Sequence, residues 1–408
     1  MTTLAEKPRA IPSEPEQATG AGNECETVLV DIITCEFPPV VGGVADYTQE
    51  VAIGLSQLGR SVRVWGPGSE PAERANSHLT INRSLGRFGL RSLIRAGRAM
   101  KAGSGGRCLL LQWEPVGYGV GSVNLMFCLW IASMVLGGAR LIVMFHETFL
   151  SYSKRTPKRL IAASLQRFMA FLLVNFASKV FASTAGGAQA LNRFSLRRGK
   201  VGHLPVFSNV KTDRDPDYVR ALRASFRSEE EILVGHFGRY MAETESLVVP
   251  ALRRLLLGNP AIKVLFAGEC ASRYRVKLLD GYFELAPRVH SVGICSAGAV
   301  ASVLSACDFM FQPYPDGITT RRSTAMAALA NGRFLVSNAG PSTEDLWMQS
   351  PAVCLLTGQD PATHADELAR VVRSPELVAR GSASARQFYE QNFSSQRTLR
   401  DLKASIRI

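Results

Sequence analysis

Short apolar runs, each closed by a turn and followed by a segment of helical period, recur from near the start of this sequence to beyond residue 330. That rhythm limits the fold more than any other feature. Val28–Thr34 (VLVDIIT), Val62–Trp65, Cys108–Gln112, Leu141–Phe145, Val180–Ser183 and His203–Phe207 form a first series. Ile232–Phe237, Ile262–Phe266, Val289–Val292, Phe309–Gln312 and Phe334–Ser337 form a second. Runs this apolar, alternating with helices, predict strands buried on both faces of a parallel α/β sheet. The opening unit shows the pattern plainly. VLVDIIT leads through Cys35-Glu36-Phe37-Pro38-Pro39 to Gly42-Gly43, after which Val44, Tyr47, Val51, Leu55 and Leu58 keep helical spacing up to Gly59.

A chain of 408 residues exceeds one ordinary core, and the rhythm restarts at Ile232 after a polar stretch. Two domains are therefore expected, over residues 25–210 and 231–385, with a linker at 211–230 and a final helical segment at 386–408. Residues 1–24, rich in Pro, Glu, Ala and Thr and without an apolar signal core, read as a disordered tail. In the linker, Asp213, Asp215 and Asp217 form overlapping DxD patterns. A metal-dependent transferase would use such a motif, but in a charged, Pro-containing stretch it reads as turn chemistry, and no metal site is expected. The eight cysteines are scattered without a CxxC pair, as in a reduced, cytoplasmic protein.

The formal net charge of +13 directs attention to anionic partners. No nucleic-acid-binding signature is present, so nucleotide-linked substrates and an anionic membrane face are the expected ones. Arg87, Arg91, Arg95 and Arg98 fall within an arc of roughly 80° on a helix, which suits either a solvated face or contact with lipid headgroups. Val116–Ala139 carries no charge. Its glycines and the strand that follows predict a buried helix rather than a membrane span.

Functional chemistry is densest at Ala306–Gly332, ACDFMFQPYPDGITTRRSTAMAALANG. A short strand ends at Pro313 and Pro315, a loop carries Asp316 to Arg322, and a helix begins beside paired guanidiniums. Such an arrangement suits an anion, and equally a capped surface helix with solvated arginines. His146 falls at the carboxyl end of another strand, where ligands of open α/β sheets bind, and Arg239 in Gly238-Arg239-Tyr240 lies in the first turn of the second half, within reach of a diphosphate.

In this order, FPPVVGGVADYTQEVAIGLSQLGRSVRVWGP, FHE, HFGRY and the Ala306–Gly332 stretch resemble the retaining glycosyltransferases of family 4, over about residues 27–395. The resemblance implies a GT-B fold: two Rossmann-like domains facing across a cleft, the last helix crossing back to the first. It implies a nucleoside-diphosphate sugar as donor and no cofactor; the +13 charge, the arginine stripe from Arg87 to Arg98 and the apolar helix near Phe168 point to a glycan or lipid-linked hydroxyl acceptor and peripheral association with the cytoplasmic face of a membrane. Carried over, His146, Asp316, Arg239 and Arg321 are catalytic. Gly42, Gly43, Gly238, Gly317, Ile318, Thr319, Arg322 and Thr324 join Arg239, Asp316 and Arg321 around the donor. Tyr47, Glu114 and Glu147 stand on the acceptor side. Two positions depart from the family. No Lys follows Arg239, and Thr324 replaces the glutamate that contacts the ribose. A branch of the family carries DGI-S/T-x-RR, as here, which assigns the missing charge to Arg321 or Arg322. An epimerase on the same fold and a degenerate binding member are the alternatives.

Overall fold

The computed structural model of the chain describes residues 28–40, 42–101, 106–119, 122–152, 156–269, 271–293, 297–358 and 360–406. The expected tail at 1–24, along with Cys25, Cys270 and Cys295, lies outside them. Two compact units emerge. One runs to Leu204 and takes in Leu399 onward; the other spans Pro205–Thr398.

The first unit is built on β1 (Leu29–Thr34), β2 (Val62–Trp65), β3 (Glu73–Arg74), β4 (Leu79–Asn82), β5 (Arg107–Trp113), β6 (Arg140–Phe145), β7 (Lys179–Ala182) and β8 (Val201–His203). Their order is β3-β4-β2-β1-β5-β6-β7-β8, parallel except for the β3–β4 pair. Residues 204–207, expected as strand, continue past β8 outside the sheet. The central strand β1 carries Asp31, fully buried. It is tolerated because Arg63 pairs with it at 2.7 Å and the Trp65 indole donates to it at 2.7 Å. Within the uncharged run at 116–139, the helix is shorter than expected, Leu125–Leu136. Asn124 starts it, its side chain accepting from the Phe127 N–H at 2.9 Å.

The second unit contains β9 (Ile232–Phe237), β10 (Ile262–Ala267), β11 (Val289–Val292), β12 (Phe309–Phe311), β13 (Phe334–Asn338) and β14 (Val353–Leu356), ordered β11-β10-β9-β12-β13-β14 and all parallel. Residues 211–230, expected as a linker, carry a helix, Pro216–Phe226. Asp215, the middle member of the DxD patterns, caps it by accepting from the Asp217 and Tyr218 N–H groups.

Each sheet reverses its direction of growth once among its parallel strands, between β1 and β5 in the first unit and between β9 and β12 in the second. Adjacent connections there leave on opposite faces and open a crevice beyond the strand ends. The loops after β1, β5, β9 and β12 are therefore the places to look for a site.

Candidate functional site

At the second unit's crevice, four loops are stitched together in two pairs by glycines. Gly317, in the left-handed region at φ +81°, lies so close to the loop after β13 that a Cβ would sit 2.4 Å from the Gly340 nitrogen. A Cβ on Gly340 would in turn sit 2.5 Å from the Asp316 carbonyl. After β9 and β10 the same device recurs: a Cβ on Gly268 would lie 2.8 Å from the Gly238 oxygen, and Gly238 itself has φ +147°. Only glycine permits such backbone-to-backbone approach. Across the reversal, Gln312 Nε2 donates to the Phe237 carbonyl at 2.8 Å, and the His236 ring lies 2.8 Å from the Phe311 carbonyl.

These contacts place the charged residues. Arg239 extends from the β9 loop, with Nε 3.1 Å from Glu269. Asp316 is exposed, and its carbonyl accepts from the Ser342 N–H at 3.2 Å. Arg322 lies over the Tyr314 ring, 4.7 Å from its centroid. The Tyr314 hydroxyl meets Thr324 Oγ1 at 2.8 Å, so the departure at Thr324 is accommodated within the loop, and burial raises the phenol to about 12. Glu344 secures the loop from the far side. Its carboxylate accepts from the Thr320 N–H and Oγ1 and from the Trp347 indole. The buried Thr319 Oγ1 has no hydrogen-bond partner among the described residues.

Two expectations for this loop change. The N–H groups of Gly317 and Ile318, residues expected around the donor, are engaged at 3.0 Å by the Tyr314 and Asn338 carbonyls. The Ile318 side chain is fully buried in the unit's apolar core. The tight Gly317 turn consumes these two donors internally.

In the first unit, His146 follows β6 as expected and is buried. Its Nε2 lies 2.8 Å from Gln112 Oε1, at the end of β5, and its ring meets Tyr47 edge-on at 4.9 Å. Burial pulls the imidazole down to about 3, so it is neutral at pH 7 and offers a hydrogen bond rather than a charge. Tyr47, expected on the acceptor side, is itself buried and serves to hold this ring. Glu147 is exposed and Glu114 half-buried, its carboxylate 3.9 Å from the Cys35 thiol, whose ionisation burial suppresses.

The glycine pair behaves asymmetrically. Gly42 precedes the helix Gly43–Gln57 and admits the Glu36 side chain; a Cβ there would lie 2.3 Å from Glu36 Oε1. That oxygen accepts from the Val44 and Ala45 N–H groups at 2.9 and 3.0 Å. The N-terminus of this helix, beside the glycines expected around the donor, thus holds a carboxylate of the same chain. Among the described residues, no atom beyond Gly43's chain neighbours and its own helix backbone comes within 4 Å of a Cβ position there.

Sequence reasoning assigned no role to Glu36, Gln112, Tyr314 or Gly340. Gln112 left a trace, as the one polar residue in CLLLQW at the end of a buried run. Gly340 acts by what it touches across the fold, which leaves no local signature. Among the described residues, no three His, Cys, Asp or Glu side chains cluster as metal ligands.

Two parallel sheets with this order define a GT-B fold, the fold of many glycosyltransferases. No family model matches the sequence, and no curated protein does. Solved structures do. A sucrose-phosphate synthase from Thermosynechococcus elongatus aligns at TM-score 0.71 with 16% identity, covering 92% of this chain and 98% of that one. HepE of Anabaena, in complex with UDP and glucose, aligns at 0.67 with 14% identity, covering 93% and 99%. A UDP-forming α,α-trehalose-phosphate synthase from Burkholderia xenovorans aligns at 0.65 with 14% identity, covering 93% and 98%. At such identities the fold is what is shared.

Proposed function

We propose that the protein is a retaining glycosyltransferase that moves a hexosyl group from a nucleoside-diphosphate sugar to a hydroxyl of a glycan or lipid-linked acceptor. The observation that carries this is the second unit's crevice, where the Arg239 loop after β9 and the Asp316-to-Arg322 loop after β12 leave the same end of the sheet, tied by the Gln312–Phe237 hydrogen bond and by the approach of Gly238 to Thr324. Fixed cations at that place are what a departing diphosphate needs. As the sugar develops oxocarbenium character, Arg239 and Arg321 take up charge on the phosphate oxygens, with no resident metal required. Arg322, stacked on Tyr314, borders the ribose position that Thr324 leaves without a carboxylate.

In the retaining course, the acceptor hydroxyl attacks from the face the diphosphate leaves. The bond from the sugar's anomeric carbon to the diphosphate breaks as the new glycosidic bond forms, and the departing phosphate takes the hydroxyl proton. Asp316 holds sugar hydroxyls by hydrogen bonds; in the first unit, the neutral His146 offers a hydrogen bond at the end of β6.

Because HepE is known with UDP and with UDP-glucose, uridine donors are the first to test. A donor present at about 100 times its Kd raises stability by about 2.7 kcal/mol, readily seen in a thermal shift. Arg239→Ala and Arg321→Ala are expected to lower kcat by roughly 10²–10³-fold, and EDTA to leave turnover unchanged. Wild-type turnover by either variant at saturating donor would overturn the assignment. The bond between Thr324 and Tyr314 also suits a member that binds a nucleotide-sugar without transferring it; donor binding with no transfer to any acceptor would select that alternative.

A further inference from the structure

Three helices of the first unit lie side by side over one core: Leu90–Lys101, Leu125–Leu136 and Pro157–Phe176. Leu93 and Met100 of the first, Phe127 and Ile131 of the second, and Met169 and Leu173 of the third point into that core. At the first contact, Gly97 lets Trp130 approach, since a Cβ there would be 3.0 Å from the indole nitrogen. The ammonium of Lys101 reaches within 4.0 Å of a Cβ position on Gly137.

Their outward faces are unusual. A helix that borders a soluble core turns polar residues outward. Here the second helix exposes Met126, Leu129 and Leu136, the last 79% exposed, and the third exposes Ile161, Leu165 and Phe168, with Ile161 at 61%. Each set recurs at helical spacing, so the two form adjoining stripes rather than scattered apolar residues, which would need no explanation. The expectation of a buried helix at 116–139 thus holds for one face only. On the first helix the exposed positions are basic: Arg91, Arg95, Arg98 and Lys101, interleaved with the exposed Leu90 and Ile94. Lys158 opens the third. None of the three helices contains an Asp or Glu.

We infer that this face docks the protein on an anionic lipid bilayer, the apolar stripes entering the boundary between headgroups and acyl chains while the arginines bind headgroup phosphates. Both parts are needed for the assignment. Apolar stripes alone would suit any hydrophobic partner, and arginines alone any anion; together on neighbouring helices they match the layered chemistry of a bilayer surface. A second copy of the chain is disfavoured because a symmetric contact would bring basic stripe against basic stripe with no acid to separate them. Pro157–Phe176 is long and apolar enough to cross a membrane, but its inner face belongs to the unit's core, so it lies along the surface. The inference concerns the first unit alone and stands whatever the donor is.

Flotation of the full-length protein with phosphatidylcholine vesicles, with and without phosphatidylglycerol, tests it. Binding is expected only with the anionic lipid, and weaker as salt rises. The triple variant R91E/R95E/R98E should partition at least about 100-fold less, and L129S/L136S/F168S at least tenfold less, both melting within a few degrees of wild type. Absence of native-protein flotation with anionic vesicles, or binding indifferent to both triple variants, would overturn the proposal. So would a stable dimer in sedimentation that L129S/L136S/F168S dissociates.

Discussion

Individual side chains at the two crevices divide into those that act and those that make room. Gly340 belongs to the second kind. Gly340→Ala forces the Asp316 and Gly317 backbone to shift and is expected to cost about 1–3 kcal/mol, measured by urea unfolding, and to lower donor affinity along with stability. His146 makes a different prediction, through pH. Its folded value is about 3 and that of His236 about 4, against 6.5 for an unperturbed imidazole. Between these limits the unfolded chain binds more protons, so stability is complete above about pH 6.5 and falls as the pH drops toward 4. His146→Gln should flatten that loss when melts at pH 4.5 and pH 7 are compared; an unchanged slope would show that the ring is not buried neutral. The candidate residues were visible in the sequence because they lie at or beyond strand ends, His146 directly after β6 in the first unit, and Arg239, Asp316 and Arg322 in the segments that follow β9 and β12 in the second. The partners that hold them were not. Gln112 pairs with a residue 34 positions away, and Gly340 with one 23 positions away, and no periodicity encodes such meetings.

Among elements, the final helix is informative. Ser395–Ile406 straddles the boundary between the units, and from Leu399 onward it packs in the first, where Leu402 and Ile406 are buried. Gly54, inside the helix Gly43–Gln57, gives it space: a Cβ there would lie 2.5 Å from a Leu399 methyl. Leu402→Ala is expected to destabilise the first unit by about 2–5 kcal/mol, seen as an earlier transition in calorimetry. Strand positions were legible wherever the run was apolar and central, as in β1, β5, β6, β9 and β10. β4 escaped because LTIN is four residues long and only alternately buried, and β3 because Glu73 and Arg74 are exposed at a sheet edge. β8 lies earlier than expected because residues 204–207 are as buried as a strand but leave the ladder after Leu204, whose N–H still donates to Ala182, with Val206 bonding to Thr320.

For the molecule as a whole, the alternating rhythm and its single restart were sufficient to predict a two-sheet α/β chain, because parallel sheets demand that alternation. Chemistry was less accessible, since the loops that carry it are defined by crossings between distant segments. Part of the chain's excess positive charge lies on the helices Leu90–Lys101 and Pro157–Phe176, which carry seven Lys or Arg and no Asp or Glu. If it serves the three-helix face, neutralising Arg91, Arg95 and Arg98 to Gln should abolish the salt dependence of vesicle binding while leaving transfer to a soluble acceptor unchanged. The return of the chain to its first unit also bears on synthesis. Residues 205–398 emerge between the sheet of the first unit and the helix that completes it. At about 5–20 residues per second, some 10–40 s pass on the ribosome with the Gly54 face uncovered. During that interval a nascent chain exposes the Gly54 surface that Leu399 will cover, and a chaperone that shields it would matter more for yield than for the finished protein's stability.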